Sequence, residues 1–160
     1  MKENKYKITA LLSALLLCSA VLKAQVPVRE EPRHHPVLPN KYIRLLDVWL
    51  PAGDTTLFHI HATPSLFVIL SNTLTGSQTQ DSVWSNSQSK AGTTWYRSFS
   101  PDKLVYRVCN ADTVIFYVNN IELLSQYNAT PSNKKLLPFP VEFENEKAVA
   151  YRLTVNDFNQ

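Results

Sequence analysis

From Lys41 to Ile121 no stretch repeats its apolar residues with the 3.6-residue period of a helix. Short runs rich in β-branched and aromatic residues follow one another instead: Tyr42–Leu50, Thr56–His61, Ser65–Leu70, Leu74–Gln80, Val83–Trp84, Thr93–Arg97, Lys103–Cys109 and Thr113–Leu123. Between them stand turn formers, among them Pro51-Ala52-Gly53-Asp54, Ala62-Thr63-Pro64, Ser71-Asn72 and Asn110-Ala111-Asp112. Many short strands with no helix to cover a parallel sheet restrict the chain to a sandwich, a barrel or a jelly roll. An all-β domain is expected.

Charge is informative through its location. The chain has 160 residues with 16 Lys+Arg, 13 Asp+Glu and a formal charge of +3. Lys2, Lys5, Lys7, Lys23 and Glu3 lie in the first 24 residues, and without that segment the chain is neutral. No basic stripe remains for a nucleic acid to bind. The same segment carries an apolar run, Ile8–Leu22, shorter than the ~20 residues of a membrane span. Residues 1–24 therefore read as a signal peptide, with export to a periplasm or the exterior and no stable membrane span once the leader is cleaved. Lipidation at Cys18 is the alternative, opposed by Leu17 where a small residue is wanted. With Cys18 gone, Cys109 is the only thiol and no intramolecular disulfide can form. Its surroundings suit a small hydrophobe.

Residues 25–39 contain Pro27, Pro32, Pro36 and Pro39, which exclude helix and favour an extended arm. His34 and His35 on that arm are expected in solvent. Residues 40–123 form the domain proper. Residues 124–160 begin with a proline-bearing loop, Ser125–Pro140, and end in a strand over Ala148–Val155.

The segment with chemistry in it is Gly53-Asp54-Thr55-Thr56-Leu57-Phe58-His59-Ile60-His61. Histidines at i and i+2 of a strand share a face, so His59 and His61 can meet one ligand, with Leu57 beside them and Phe58 and Ile60 opposite. Paired imidazoles suit a divalent transition metal such as Fe, Mn, Zn, Ni or Cu, but polar histidines can equally close a barrel mouth.

The stretch from Gly53 to Asn72 resembles the first motif of the cupin superfamily, G-x5-H-x-H-x3,4-E-x6-G, through Gly53, His59, His61, Ser65 and Asn72. Gly92 through Asn110 loosely resembles the second motif, whose final H-x3-N falls on Tyr106 and Asn110. The resemblance implies a jelly-roll β-barrel (a double-stranded β-helix) with a ligand cavity, and a metal held by both H-x-H histidines, the motif glutamate and the second-motif histidine. Here Ser65 replaces the glutamate and Tyr106 the last histidine. A serine hydroxyl is a poor cation ligand, and a tyrosine must first lose a proton of pKa about 10. Asn72, at a family glycine, is expected to take positive φ. Asn110 needs only turn chemistry.

The favoured expectation is a small-molecule site without a strong metal, with His59, His61, Ser65 and Tyr106 as polar anchors and Trp95 in an aromatic wall. The alternatives are a metal-dependent, dioxygenase-like enzyme using His59 and His61, and a structural homodimer with a vestigial cavity. Asn145–Val155 also aligns without gaps on Asn40–Leu50. It is either an ordinary last strand, paired with the barrel or a second subunit, or the start of a truncated second cupin repeat.

Overall fold

The computed structural model describes residues 25–124, 137–145 and 148–153. Two five-stranded sheets account for most of it. In chain order the strands are β1 (Val26–Pro27), β2 (His34–Pro39), β3 (Ile43–Leu50), β4 (His59–His61), β5 (Ser65–Ile69), β6 (Thr73–Thr79), β7 (Ser85–Ser89), β8 (Thr94–Arg97), β9 (Leu104–Asn110), β10 (Phe116–Leu123), β11 (Val141–Glu144) and β12 (Val149–Tyr151). A single 3-10 turn, Val28–Glu30, joins β1 to β2. One sheet runs β1-β4-β9-β6-β7, the other β2-β3-β10-β5-β8. Among the described residues no ladder joins the two, so the expected barrel is realised as a jelly-roll sandwich. Among the described residues no helix is long and apolar enough to cross a membrane.

Alternation places one face of each strand between the sheets. Leu46, Val48 and Leu50 of β3, Phe67 and Ile69 of β5, and Phe116 and Val118 of β10 are buried together with Val28 and Phe99. Leu104 and Val108 of β9 pack on them from the other sheet.

Several expectations need correction. Residues 26–39 are two strands, Val26–Pro27 and His34–Pro39, around the 3-10 turn, and are no free arm. Val26 pairs in parallel with His59, and His34–Pro39 pairs antiparallel with β3, so the segment gives each sheet an edge strand. Proline is tolerated there because an edge leaves one row of donors unused. The Val83–Trp84 run is not a strand: Val83 is 85% exposed, and the edge position goes to the polar Ser85–Ser89. Register with β6 outweighs the low β propensity of those residues. In Thr56–His61 only the last three residues are strand, and Leu57 is exposed instead of sharing the histidine face. Asn72 is not among the residues with positive φ, and its Oδ1 accepts the N–H of Ala91 at 3.0 Å. Gly53, at φ +75°, does use the left-handed region its turn requires. Asn110 is more than a turn residue: buried, it donates Nδ2–H to the carbonyls of Leu50 and Val114 and so ties β9 to β3.

At the C-terminus β12 pairs with β11, a strand not expected from sequence, and with neither large sheet. Phe143 stacks on Tyr96, and Arg152 donates to the Gly92 carbonyl, so this hairpin rests against the β8 end of the domain. Residues 1–24, most of the expected 125–140 loop and residues 154–160 lie outside the described residues.

Candidate metal centre

The site begins with a turn that grips a loop. Glu31 follows the 3-10 turn, is 1% exposed, and accepts from three directions. His34 Nδ1–H reaches its Oε2 at 2.8 Å, the Arg33 N–H reaches the same oxygen at 2.7 Å, and the Leu57 N–H reaches Oε1 at 3.1 Å. Arg33 pairs bidentately with Asp54 at 3.0 and 2.9 Å. The start of β2 is thereby locked to the loop that leads into β4. Burial alone would raise the pKa of Glu31. The His34 hydrogen bond and the two backbone donors outweigh it and hold the carboxyl below its ordinary value.

That lock brings His34 to the β4 histidines. Ring centroids lie 4.7 Å apart for His34 and His59, 5.1 Å for His59 and His61, and 6.4 Å for His34 and His61. One ligand atom from each of the three lies within 4.8 Å of the others. Tetrahedral zinc with nitrogens at ~2.05 Å would want them about 3.3 Å apart. His34 gives its Nδ1–H to Glu31 and His59 gives its Nδ1–H to the Leu57 carbonyl at 2.9 Å, which leaves Nε2 of each as the nitrogen with a lone pair to ligate. His59 Nε2 and both ring nitrogens of His61 have no hydrogen-bond partner, although the two residues are 0% and 1% exposed. Orphaned nitrogens at that depth are what a metal would satisfy.

The protonation state agrees. Burial, then the influence of His34, takes His59 to a pKa of about 4, despite the hydrogen bond to Leu57 and the charge of Glu31. Burial, then His59, His34 and Arg97, takes His61 to about 2. Both are neutral imidazoles near pH 7, the form that coordinates a metal.

The four polar anchors expected from sequence separate here. Tyr106 packs against His59 and His61 at 4.9 and 5.1 Å, but burial pushes its phenol up to about 12, far from a phenolate. Ser65 is fully buried and donates Oγ–H to the Thr63 carbonyl at 2.9 Å; it is outside the histidine cluster. A carboxylate does lie beside it across the ladder, Glu122 of β10, but Arg44 holds that group at 2.6 Å. Trp95 stacks flat on Phe67 at 4.9 Å and lines a cavity of about 370 Å³ between the sheets. Tyr106 and His34 also line it. Phe99 does too, stacked on His61 at 4.9 Å and held at φ +52°, where a bulky residue is strained.

His34 was expected in solvent and is instead 7% exposed, a member of the cluster. His35 points the other way and stacks on Trp49. The overlooked clue is Glu31-x-x-His34 beside a strand-competent stretch: an acid and a histidine three apart can pair within one turn.

A scan against models of protein families finds no match, and a search of curated proteins finds none. Solved structures do match. A cupin domain from Bordetella pertussis aligns with a TM-score of 0.50 at 21% identity, over 59% of this chain and 96% of that one. A protein with a double-stranded β-helix domain from Klebsiella pneumoniae aligns at 0.45 and 14%, over 62% and 78%. An RmlC-like cupin from Methanocaldococcus jannaschii aligns at 0.45 and 14%, over 55% and 75%. The B. pertussis likeness, with the sheet order and the interior described above, establishes that this chain has the cupin fold.

Proposed function

We propose that this protein binds a divalent transition metal through His34, His59 and His61, and that the metal serves a small molecule bound in the adjoining cavity. The observation that carries the reading is the convergence of three buried imidazoles, with His59 Nε2 and both ring nitrogens of His61 buried without a partner. Two ligands, as read from the H-x-H pair alone, argue for a weak site; a third from β2 changes that balance. Three protein ligands is the number that catalytic metal sites use, and His34 borders both the cluster and the cavity. A metal held there would polarise a coordinated oxygen as a Lewis acid. Tyr106 would present a neutral O–H to a molecule in the cavity, and the buried Phe67 and Phe99 would keep water out. Borderline nitrogen ligands favour Zn, Fe, Mn, Ni or Cu over Mg or Ca. Export by residues 1–24 belongs to the same reading.

The test is elemental analysis of the untagged full chain, with His34→Ala and the His59→Ala/His61→Ala pair alongside. Near-stoichiometric metal in the parent, lost in both variants, is expected. Metal retained by His34→Ala would return the site to two ligands, and a metal-free parent that takes up none of these ions would end the reading. A second reading, turnover by an oxygenase-like enzyme, draws on the three-histidine set and is checked by oxygen consumption with the metal-loaded chain.

A further inference from the structure

The cavity has one charged group that the metal reading does not use. Arg97, at the end of β8, lines it and is exposed, so it stands where the cavity meets solvent. Its guanidinium lies over the Phe99 ring at 5.3 Å, and no described carboxylate pairs with it. Every other lining residue is neutral or a histidine. The nearby buried acids are committed elsewhere, Glu31 to His34 and Arg33, Glu122 to Arg44.

Deeper on the same sheet face is a second unspent group. Asn120 of β10 is 1% exposed and lines the cavity, yet neither its Oδ1 nor its Nδ2 has a partner. An amide buried without hydrogen bonds is costly unless something that enters supplies them. The register relates the two. Asn120 lies opposite Phe67, which lies opposite Trp95, and Arg97 is two residues further along β8. With ~4.8 Å between strands and ~3.4 Å per residue, their Cα atoms are about 12 Å apart, and the Phe67–Trp95 stack lies between.

We propose that the cavity binds a small organic monocarboxylate, its carboxylate on Arg97 at the mouth, its flat or apolar body along Phe67 and Trp95, and a hydrogen-bonding group on Asn120. One guanidinium and no lysine match a single negative charge, and the planar fork matches a carboxylate in two parallel hydrogen bonds. This rests on the cavity half of the function proposed above and not on its metal. Arg97 lies over the Phe99 ring, which stacks on His61 at 4.9 Å, so the carboxylate end is near the metal ligands.

Calorimetric titration of the full chain with benzoate against benzamide, and phenylacetate against phenylacetamide, tests it. Each pair is run on metal-loaded and on chelator-stripped protein. The acids are expected to bind about tenfold or more tighter than the amides in both forms, with the preference abolished in Arg97→Gln. Arg97→Lys, which keeps the charge without the fork, should keep a smaller part of it, and guards against a misfolded Gln variant. A preference that vanishes on stripping and survives Arg97→Gln would assign the carboxylate to the metal and overturn the proposal. Equal binding of acid and amide, or no binding of any probe at millimolar concentration, would overturn it too. A stripped parent that retains the preference while elemental analysis shows no metal uptake would uphold the carboxylate site and sink only the metal.

Discussion

Glu31 and Glu122 are buried almost equally, at 1% and 3% exposure, and each meets an arginine, yet they organise different things. Glu31 spreads its two oxygens over a histidine, two backbone N–H groups and Arg33, joining the start of β2 to the loop before β4. Glu122 makes one charged contact, with Arg44 directly across the β3–β10 ladder. Deleting the first would free a candidate metal ligand; deleting the second would unpair two neighbouring strands' side chains and nothing else. A buried carboxylate informs about function through what it orients, and burial alone does not separate the two.

Acid should expose the Glu31 region first and with the largest effect. His59 and His61 fold as neutral groups with pKa values of about 4 and about 2, below the ordinary 6.5. As pH falls through 6.5 the unfolded chain takes up protons that the folded chain refuses. Stability therefore declines below pH 6.5, by up to ~1.4 kcal/mol per pH unit for each histidine, until each folded pKa is reached. Glu31, with its pKa lowered, adds loss of the same sign below its ordinary value of 4.5. Urea melts of the chelator-stripped chain between pH 7 and pH 4.5 should show the decline. Bound metal, which needs neutral imidazoles, should delay it. A flat profile would show that the histidines are not buried neutral.

Two single substitutions then separate the glutamates. Glu31→Gln should weaken metal binding 10- to 100-fold, about 1.4–2.7 kcal/mol, because His34 loses the charged acceptor that fixes its tautomer. Glu122→Gln should leave metal affinity unchanged and lower stability by about 1–2 kcal/mol, the cost of a charged hydrogen bond to a partly exposed arginine. Competition titration with a metal chelator reads the first, and denaturant melts the second. Equal effects on metal affinity would erase the distinction.

This contrast also marks what the sequence could say. The strand runs and the H-x-H pair were legible because period-two alternation and close spacing are local properties. The two-sheet order and the contribution of His34 were not, since His34 reaches His59 only because β2, an edge strand of one sheet, faces β4 of the other, with Glu31 and Arg33 clamping its start to the loop before β4. The prolines that argued for an extended arm fit the backbone of β1 and β2, but they gave no sign of the 3-10 turn between them or of the pairing. On β10 the alternation Phe116, Val118, Asn120, Glu122 could have raised suspicion, because its last two inward positions are polar. Arg97 was inside an expected strand, but its lack of an acidic partner becomes visible only once the other strands are in place.

Ser65 supplies the smallest test and the sharpest one for the sequence reading. It occupies the position where the resemblance places a ligating carboxylate, and it was expected to be a polar anchor. In the structure its hydroxyl is spent on the Thr63 carbonyl at 2.9 Å, beside the turn that precedes β5, and the cavity does not include it. Ser65→Ala should therefore cost about 1 kcal/mol of stability, the worth of one hydrogen bond, with the released carbonyl able to reach water at the turn. Metal stoichiometry and the acid-over-amide preference should both be unchanged. A loss of either at intact stability would put Ser65 back in the site and move the ligand toward the Glu122 side of the sheet, where no described side chain now reaches the histidines.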